Sequence, residues 1–495
     1  MAHPAIRARE AYRTGKALAV TSAVPSRPDH DDRKSDNSPL PSDQPSELAV
    51  GPDALAASEV IAGRGPASVV ETGPICGPSL FHGFRALRHR DFRLFYVGQL
   101  VSLIGTWMQS LAQSWLILIL THSAFALGLV GALQFLPVLF LSAFGGLIAD
   151  RAPKRNLLLG TQSAQMLLAF ALAGLTAVGK ETFAIVLMLA LLLGIANAVD
   201  MPTRQAFVVE MVGPNDLINA IALNSTLFNA ARLIGPALAG LLIGIVGIAG
   251  CFFLNGASFL AVIFGLLLIH QPAFEPRHFE SVREVWQDLQ EGFQYVRRST
   301  SVRAVILITG FVGTFDANFN VVTPILAQNV LYVGATGLGW LMAAMGFGSL
   351  IASLGIAYFA NTPHPRAVAA SAVVFSVLDM LLAPIHSYAA ALAILALIGA
   401  SMVILSSMAN SYLQLTVPHR LRGRVMSLYT TVFVGTTPIG NTLTGLLAET
   451  TQAFGPLFYG GLISLLATIW LSTPLWRRIR HGRIRSEGDQ YRSPP

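Results

Sequence analysis

Apolar residues in this chain come in long runs, each near the roughly 20 residues that a helix needs to cross a bilayer. One set of runs lies at about 94–120, 124–149, 156–178, 182–211, 217–245 and 250–270. A second set lies at about 303–330, 336–360, 367–385, 389–416, 423–448 and 456–476. The pattern predicts an all-α integral membrane protein with twelve transmembrane helices in two six-helix halves. Domains are expected at 84–270 and 303–476, joined by a linker at 271–302.

Composition agrees. Over 495 residues the chain is 53% hydrophobic and only 12% charged, with a mean hydropathy of +0.58, values that suit a polytopic membrane protein and not a soluble one. Residues 1–83 are rich in Pro, Ser, Asp and Ala, as in Pro25-Ser26-Arg27-Pro28-Asp29. Without a sustained apolar period they are expected to form a disordered cytoplasmic tail. The start has no compact apolar core followed by a cleavage site, so no signal peptide is expected. Cys76 and Cys251 offer no disulfide framework, and no metal-ligand spacing occurs, so neither cofactor nor metal is expected.

Charge fixes an expected topology. The net charge of +7 suggests nucleic-acid binding only until the basic residues are placed. They form no patch and sit in alternate loops and in the tails, so no nucleic-acid partner is expected. Arg151, Lys154, Arg155, Arg297, Arg298, Arg366, Arg420, Arg422 and Arg424 fall on one side, and only Lys180 falls in a loop on the other. The positive-inside rule makes the basic side cytoplasmic, with both termini there and residues 477–495 as a basic tail, in the cell (inner) membrane. Between the halves, Val282, Val285, Trp286, Leu289, Phe293 and Val296 recur at helical spacing and predict an amphipathic helix over 281–298, lying at the interface.

The chain also repeats itself. Phe228, Gly235, Gly240, Leu241 and Leu242 match Phe433, Gly440, Gly445, Leu446 and Leu447, each 205 residues later, and Gly145 has a counterpart in Gly355. The fifth span thus corresponds to the eleventh, as in transporters built from duplicated halves.

The run Gly145-Gly146-Leu147-Ile148-Ala149-Asp150-Arg151-Ala152-Pro153-Lys154-Arg155 resembles the loop signature of the major facilitator superfamily, departing from it at Pro153, where glycine is usual. Gly105-Thr106-Trp107-Met108-Gln109, Asp200-Met201-Pro202-Thr203-Arg204, Ala231-Arg232-Leu233-Ile234-Gly235-Pro236 and Arg422-Gly423-Arg424 are similar to its enterobactin-exporter-like branch over about residues 84–476. The resemblance implies proton-coupled efflux of a siderophore-like or drug-like molecule. It also implies a gate network of Asp150, Arg151, Lys154, Asp200 and Arg204 that locks the cytoplasmic side, and an antiporter-like motif at Gly235, Pro236 and Gly240.

Charges inside spans are costly and so point to function. Arg232 lies near the middle of the fifth span and Asp316 near the middle of the seventh. Asp316 is a candidate proton carrier, with Arg232 as its partner or as the anchor of an anionic cargo; a structural buried pair, or two unrelated cavity-facing groups, is the alternative. Gln109, Gln113, Asn224, Asn318, Asn320 and Asn410 are candidates for the substrate cavity, and Glu210 is expected at the membrane interface, facing solvent. The expected protein is a monomeric secondary active transporter whose partners are a small organic substrate, protons and the bilayer. Nutrient uptake or facilitated diffusion is the alternative, and a transport-inactive sensor or assembly partner the second. No nucleophile–base motif or phosphate loop suggests an enzyme.

Overall fold

The chain's computed structural model describes residues 85–270, 282–359 and 363–480. The expected disordered tail at 1–83, the first part of the linker, Asn361 and Thr362 of the second loop copy, and residues 481–495 lie outside the described residues. All secondary structure among the described residues is helical.

Helix α1 spans Arg90–Thr121, α2 spans Ala124–Arg151 and α3 spans Lys154–Ala177. Only Ala152 and Pro153 separate α2 from α3. Pro153, with φ −56°, sets the chain at the α3 entrance, where a missing backbone N–H costs nothing. The 86-residue run Phe183–Leu268 is interrupted at Gly213 (φ 67°) and Gly247 (φ 73°), where the left-handed backbone is open to glycine with little strain. These joints divide it into α4 (183–212), α5 (214–246) and α6 (248–268). Helix α7 is Val282–Arg298, α8 is Thr300–Phe315 and α9 is Phe319–Ile325, which continues through a π turn at Leu326–Val330. Then come α10 (Gly334–Phe359), α11 (Pro365–Leu382), α12 (Tyr388–Thr416), α13 (His419–Thr451) and α14 (Phe454–Arg480).

Ten helical segments among the described residues are long and apolar enough to cross a membrane. Reaching the expected twelve requires counting α5 and α6 as two and adding α13. Helix α13 is rich in threonine, and hydroxyls such as those of Thr436 and Thr442 donate to carbonyls of their own helix, which satisfies them in an apolar setting. One predicted span changes form. The run 303–330 is not one helix but breaks at Asp316–Asn318, between α8 and α9.

The repeat is visible as matched packing. A Cβ on Gly235 would sit 2.5 Å from the Trp107 Cβ and 2.8 Å from the Ile104 carbonyl of α1. A Cβ on Gly440 would sit 2.6 Å from the Thr314 carbonyl of α8. Each glycine therefore lets the fifth helix of its half press on the first helix of the same half. Gly240 likewise meets Gly339 of α10, and Gly445 meets Gly128 of α2. Those two contacts join the halves and are related by the same pseudo-symmetry.

Candidate translocation cavity and gates

Between the halves lies a cavity of about 290 Å³. Helix α1 lines it with Trp107, Gln109 and Gln113, α5 with Phe228, α9 with Asn320 and α13 with Asn441. Gln109 Oε1 accepts a hydrogen bond from Asn255 Nδ2 of α6 at 2.6 Å, which fixes the amide and leaves its own N–H₂ to the cavity. Of the cavity residues expected from sequence, Gln109, Gln113 and Asn320 line this space. Asn318 does not: its Nδ2 donates to the Thr314 carbonyl at 2.8 Å and closes the end of α8. Asn224 is exposed, one turn along α5 from Phe228, and Asn410 is exposed and accepts from Gln414 Nε2 at 2.7 Å. Gln134, Asn197 and Asn441 also line the cavity; as amides within apolar runs they carried the same signal as those singled out from sequence.

Arg232 sits midway along α5, over the face of Trp107, with its guanidinium carbon 5.7 Å from the ring centre. Its Nη2 lies 3.5 Å from the sulfur of Met402 and 3.8 Å from that of Met345, both from the second half. Its Nε is buried and has no hydrogen-bond partner among the described residues. The expected partnership with Asp316 is not formed. Asp316 ends α8, inside the second half, where its carboxylate accepts from Ser376 Oγ of α11 at 2.7 Å. The two residues share a depth along the sequence but belong to different helix packings. Three residues along α11 from Ser376, and so on the same face of the helix that meets Asp316, is a second buried acid, Asp379. Sequence reasoning passed over Asp379, although an acid inside the 367–385 run is the same signal that drew attention to Asp316.

The basic loops gather at one end of the bundle. Gly145 lets α2 close on α4, because a Cβ there would strike the carbonyl of Ala198. Asp200 is fully buried, ion-paired with Arg204 one turn away, and accepts from Thr161 Oγ1 at 2.8 Å and Gln162 Nε2 at 2.7 Å. Its carboxylate is thus turned into the α3–α4 contact, away from the α2–α3 loop. Lys154 pairs with Glu210 at 2.5 Å; Glu210 is exposed, as expected, and holds that lysine from the end of α4. Asp150 is exposed, and Arg155 donates to the Leu266 and Leu267 carbonyls at the end of α6, at 2.7 and 3.0 Å. The contacts named here for Lys154, Arg155, Asp200 and Arg204 all lie within the first half.

Contacts between the halves gather towards the other end, called here the far end. Thr336 Oγ1 of α10 donates to the Gly240 carbonyl at 2.9 Å, and a Cβ on Gly339 would meet the Pro236 carbonyl at 2.7 Å. Proline at 236 cannot donate to the carbonyl one turn earlier, which is that of Arg232. There α10 comes so close that a Cβ on Gly346 would be 2.9 Å from the Arg232 oxygen. On the pseudo-symmetric side, Glu449 of α13 accepts from Ser123 Oγ and the Phe125 N–H of α2. At the basic end, α7 is fastened to α13 by the Glu291–Arg424 ion pair.

Across residues 82–481 the chain matches the transmembrane secretion effector family. It is similar to the staphyloferrin A transporter of Staphylococcus aureus (strain NCTC 8325 / PS 47), with 26% identity over 270 residues, 53% of this chain and 66%, just under two thirds, of that protein. It is also similar to the enterobactin exporter EntS of Escherichia coli O157:H7 (strain EC4115 / EHEC), with 24% identity over 391 residues, 76% of this chain and 92% of that one. Among solved structures, a bacterial homolog of the human lysosomal transporter Spinster, inward-facing and occupied, aligns with TM-score 0.63 at 12% identity, over 82% of this chain and 99% of that chain. The nucleoside transporter NupG aligns with TM-score 0.61 at 12% identity, over 78% of this chain and 99% of its own. At those identities the solved structures speak for the fold alone. The family match over most of the chain, on a duplicated helical bundle with a cavity between its halves, makes this protein a member of the transmembrane secretion effector family of the major facilitator superfamily, a transporter and not an enzyme.

Proposed function

We propose that this transporter exports a small, amphipathic, anionic molecule of siderophore type in exchange for protons, by alternating access. The observation that carries the reading is the pair of glycine seams, Gly240 on Gly339 and Gly445 on Gly128, which join the halves towards the end opposite the basic loops. Two rigid halves closed at one end and hinged there are what an alternating carrier requires. With the basic end cytoplasmic by the positive-inside rule, both termini are cytoplasmic and the seams form the outer gate. The antiporter-like segment Gly235-Pro236-Gly240 supplies one seam. Asp150, Arg151, Lys154, Asp200 and Arg204 brace the inner ends of α2–α4. The protein works as a single chain in the cell membrane.

The siderophore class rests on the names of the relatives and on Arg232, a cation with an unused N–H between an indole face and two thioethers. A catecholate or carboxylate reaching the guanidinium beside Trp107 would satisfy that N–H. Gln109, Gln113 and Asn320 would then select among hydroxyl and amide groups on the cargo.

Reconstituted vesicles test this. An imposed pH gradient should drive uptake of a catecholate or hydroxycarboxylate chelator into vesicles holding inverted protein, and collapsing the gradient should abolish accumulation. Equal movement with and without the gradient would make the protein a facilitator.

A further inference from the structure

The second half contains a pair of acids that the cavity does not use. Asp316 is 4% exposed and Asp379 is 1% exposed. Neither oxygen of Asp379, nor Asp316 Oδ1, has a hydrogen-bond partner among the described residues. Ser376 donates one hydrogen bond to Asp316, while the helix end beside it adds negative charge. Asp316 caps the C-terminus of α8, the negative end of a helix dipole, and the chain leaves helical form there before α9. In membrane carriers such interrupted helices hold coupling ions at their half-helix ends.

Among the residues whose side chains are described, no basic one is placed beside the pair on the elements packed around it. Arg297 and Arg298 of α7, Arg303 of α8, Arg366 of α11, and His419, Arg420, Arg422 and Arg424 of α13 lie in the turns at the basic end. His386, beyond α11, is exposed with its Nδ1 at the Pro384 carbonyl, and Tyr388 of α12 donates to the Gly337 carbonyl. Tyr412 lies in the basic-end part of α12 and Tyr429 in that of α13. Tyr459 of α14 is exposed, and Glu449 of α13 is bound to α2.

We propose that Asp316 and Asp379 form the transporter's proton-binding site, holding one exchangeable proton between two carboxyl groups and set apart from Arg232. This rests on the proton-coupled reading above and gives it a location. A shared proton would join one oxygen of Asp379 to Asp316 Oδ1, two of the three unpaired oxygens, and needs no ligand beyond the pair. A sodium ion would need further oxygens. The Ser376 and Ser464 hydroxyls, which donate to Asp316 and to the Phe311 carbonyl, keep lone pairs that sodium could use, so sodium is the ion the test must separate from the proton.

The site is wired to both moving parts. Asn320, two residues into α9, lines the cavity, and Gly440 of seam helix α13 packs on Thr314 and Asn318, either side of Asp316. Gain or loss of the proton at the α8–α9 break therefore acts on the cavity wall and on the seam together.

Infrared difference spectra of the purified full chain in detergent, taken between acid and alkaline buffer without cargo, read the protonated carboxyl directly. The expected result is a protonated-carboxyl band at neutral pH that follows pH, ignores sodium, is weakened and shifted in Asp316→Asn and in Asp379→Asn, and disappears in the double variant. Ser376→Ala, which keeps both acids, should shift the band without removing it. Should the acid variants not fold, the wild-type titration and Ser376→Ala still decide. A wild-type band absent at neutral pH, displaced by sodium at fixed pH, or unchanged in all folded variants overturns the site. Because no transport is measured, a normal band in a protein that fails gradient-driven transport counts against the efflux reading and leaves the site standing.

Discussion

Glu449, near the end of α13, accepts a hydrogen bond from the Phe125 backbone N–H at 2.9 Å, so a carboxylate of one half caps the first turn of α2 in the other. The bond is charge-assisted and sits on the positive end of a helix dipole. Ser123, the N-cap of α2, donates to the same oxygen at 3.1 Å. The latch spans the two halves beside the Gly445–Gly128 seam, and it must part whenever the far end opens.

Glu449→Gln should loosen that end. For an exposed carboxylate at a helix N-terminus the loss is about 0.3–1 kcal/mol, a shift of a few-fold between states. Cysteine accessibility along the far end of α2 to an impermeant thiol reagent checks it.

The seams leave less room. A Cβ on Gly240 would lie 3.0 Å from the Gly339 Cα, so Gly240→Val should hold the halves apart. Overpacking of this kind costs about 1–3 kcal/mol, or roughly 5- to 150-fold against the closed arrangement. Gly445→Val should produce a similar defect from the other side of the pseudo-symmetry axis. Transport assays at matched expression, with Gly355→Val as a control whose Cβ would meet nothing within 4 Å, separate this from a general loss of folding.

Asp200 and Asp150 should behave differently. Asp200 is buried among Arg204, Thr161 and Gln162. Breaking a buried ion pair on one side costs about 3–5 kcal/mol, reduced here because the Arg204 side chain is 24% exposed. Asp200→Asn should therefore lower the melting temperature of the purified protein clearly, whereas Asp150→Asn, at an exposed position, should barely change it. Thermal unfolding in detergent gives the comparison.

These contrasts mark where the sequence is legible. Hydropathy and glycine positions locate the joints near Gly213 and Gly247 and the packing of Gly235 and Gly440, because span length and close approach are local properties. Charge counting finds the basic end for the same reason. Depth along a span does not say which neighbour a side chain faces. Arg232 and Asp316 share a depth yet sit in different packings, Lys154 finds Glu210 and not Asp150, and Asp379 gains meaning only beside Asp316. The α8–α9 break at Asp316–Asn318 is hidden as well, since the apolar run continues through it.

Arg232 is the residue on which cargo charge depends. Arg232→Ala should weaken binding of an anionic chelator by roughly 10- to 100-fold, the worth of one charge-assisted hydrogen bond of about 1.5–3 kcal/mol. Arg232→Lys should recover only part of this, since an ammonium lacks the planar fork that lies over Trp107. Equilibrium binding to the purified variants measures both. A neutral cargo analogue should bind the wild type and Arg232→Ala about equally.

Spin-label distances at the two ends test alternation itself. One pair, at exposed Lys180 and His386, spans the halves at the far end, and another, at exposed Asn156 and His419, spans them at the basic end. On changing pH or adding cargo, the far-end distance should lengthen in the same molecules in which the basic-end distance shortens. Two distances that stay fixed, or that lengthen together, would contradict a carrier hinged between its halves.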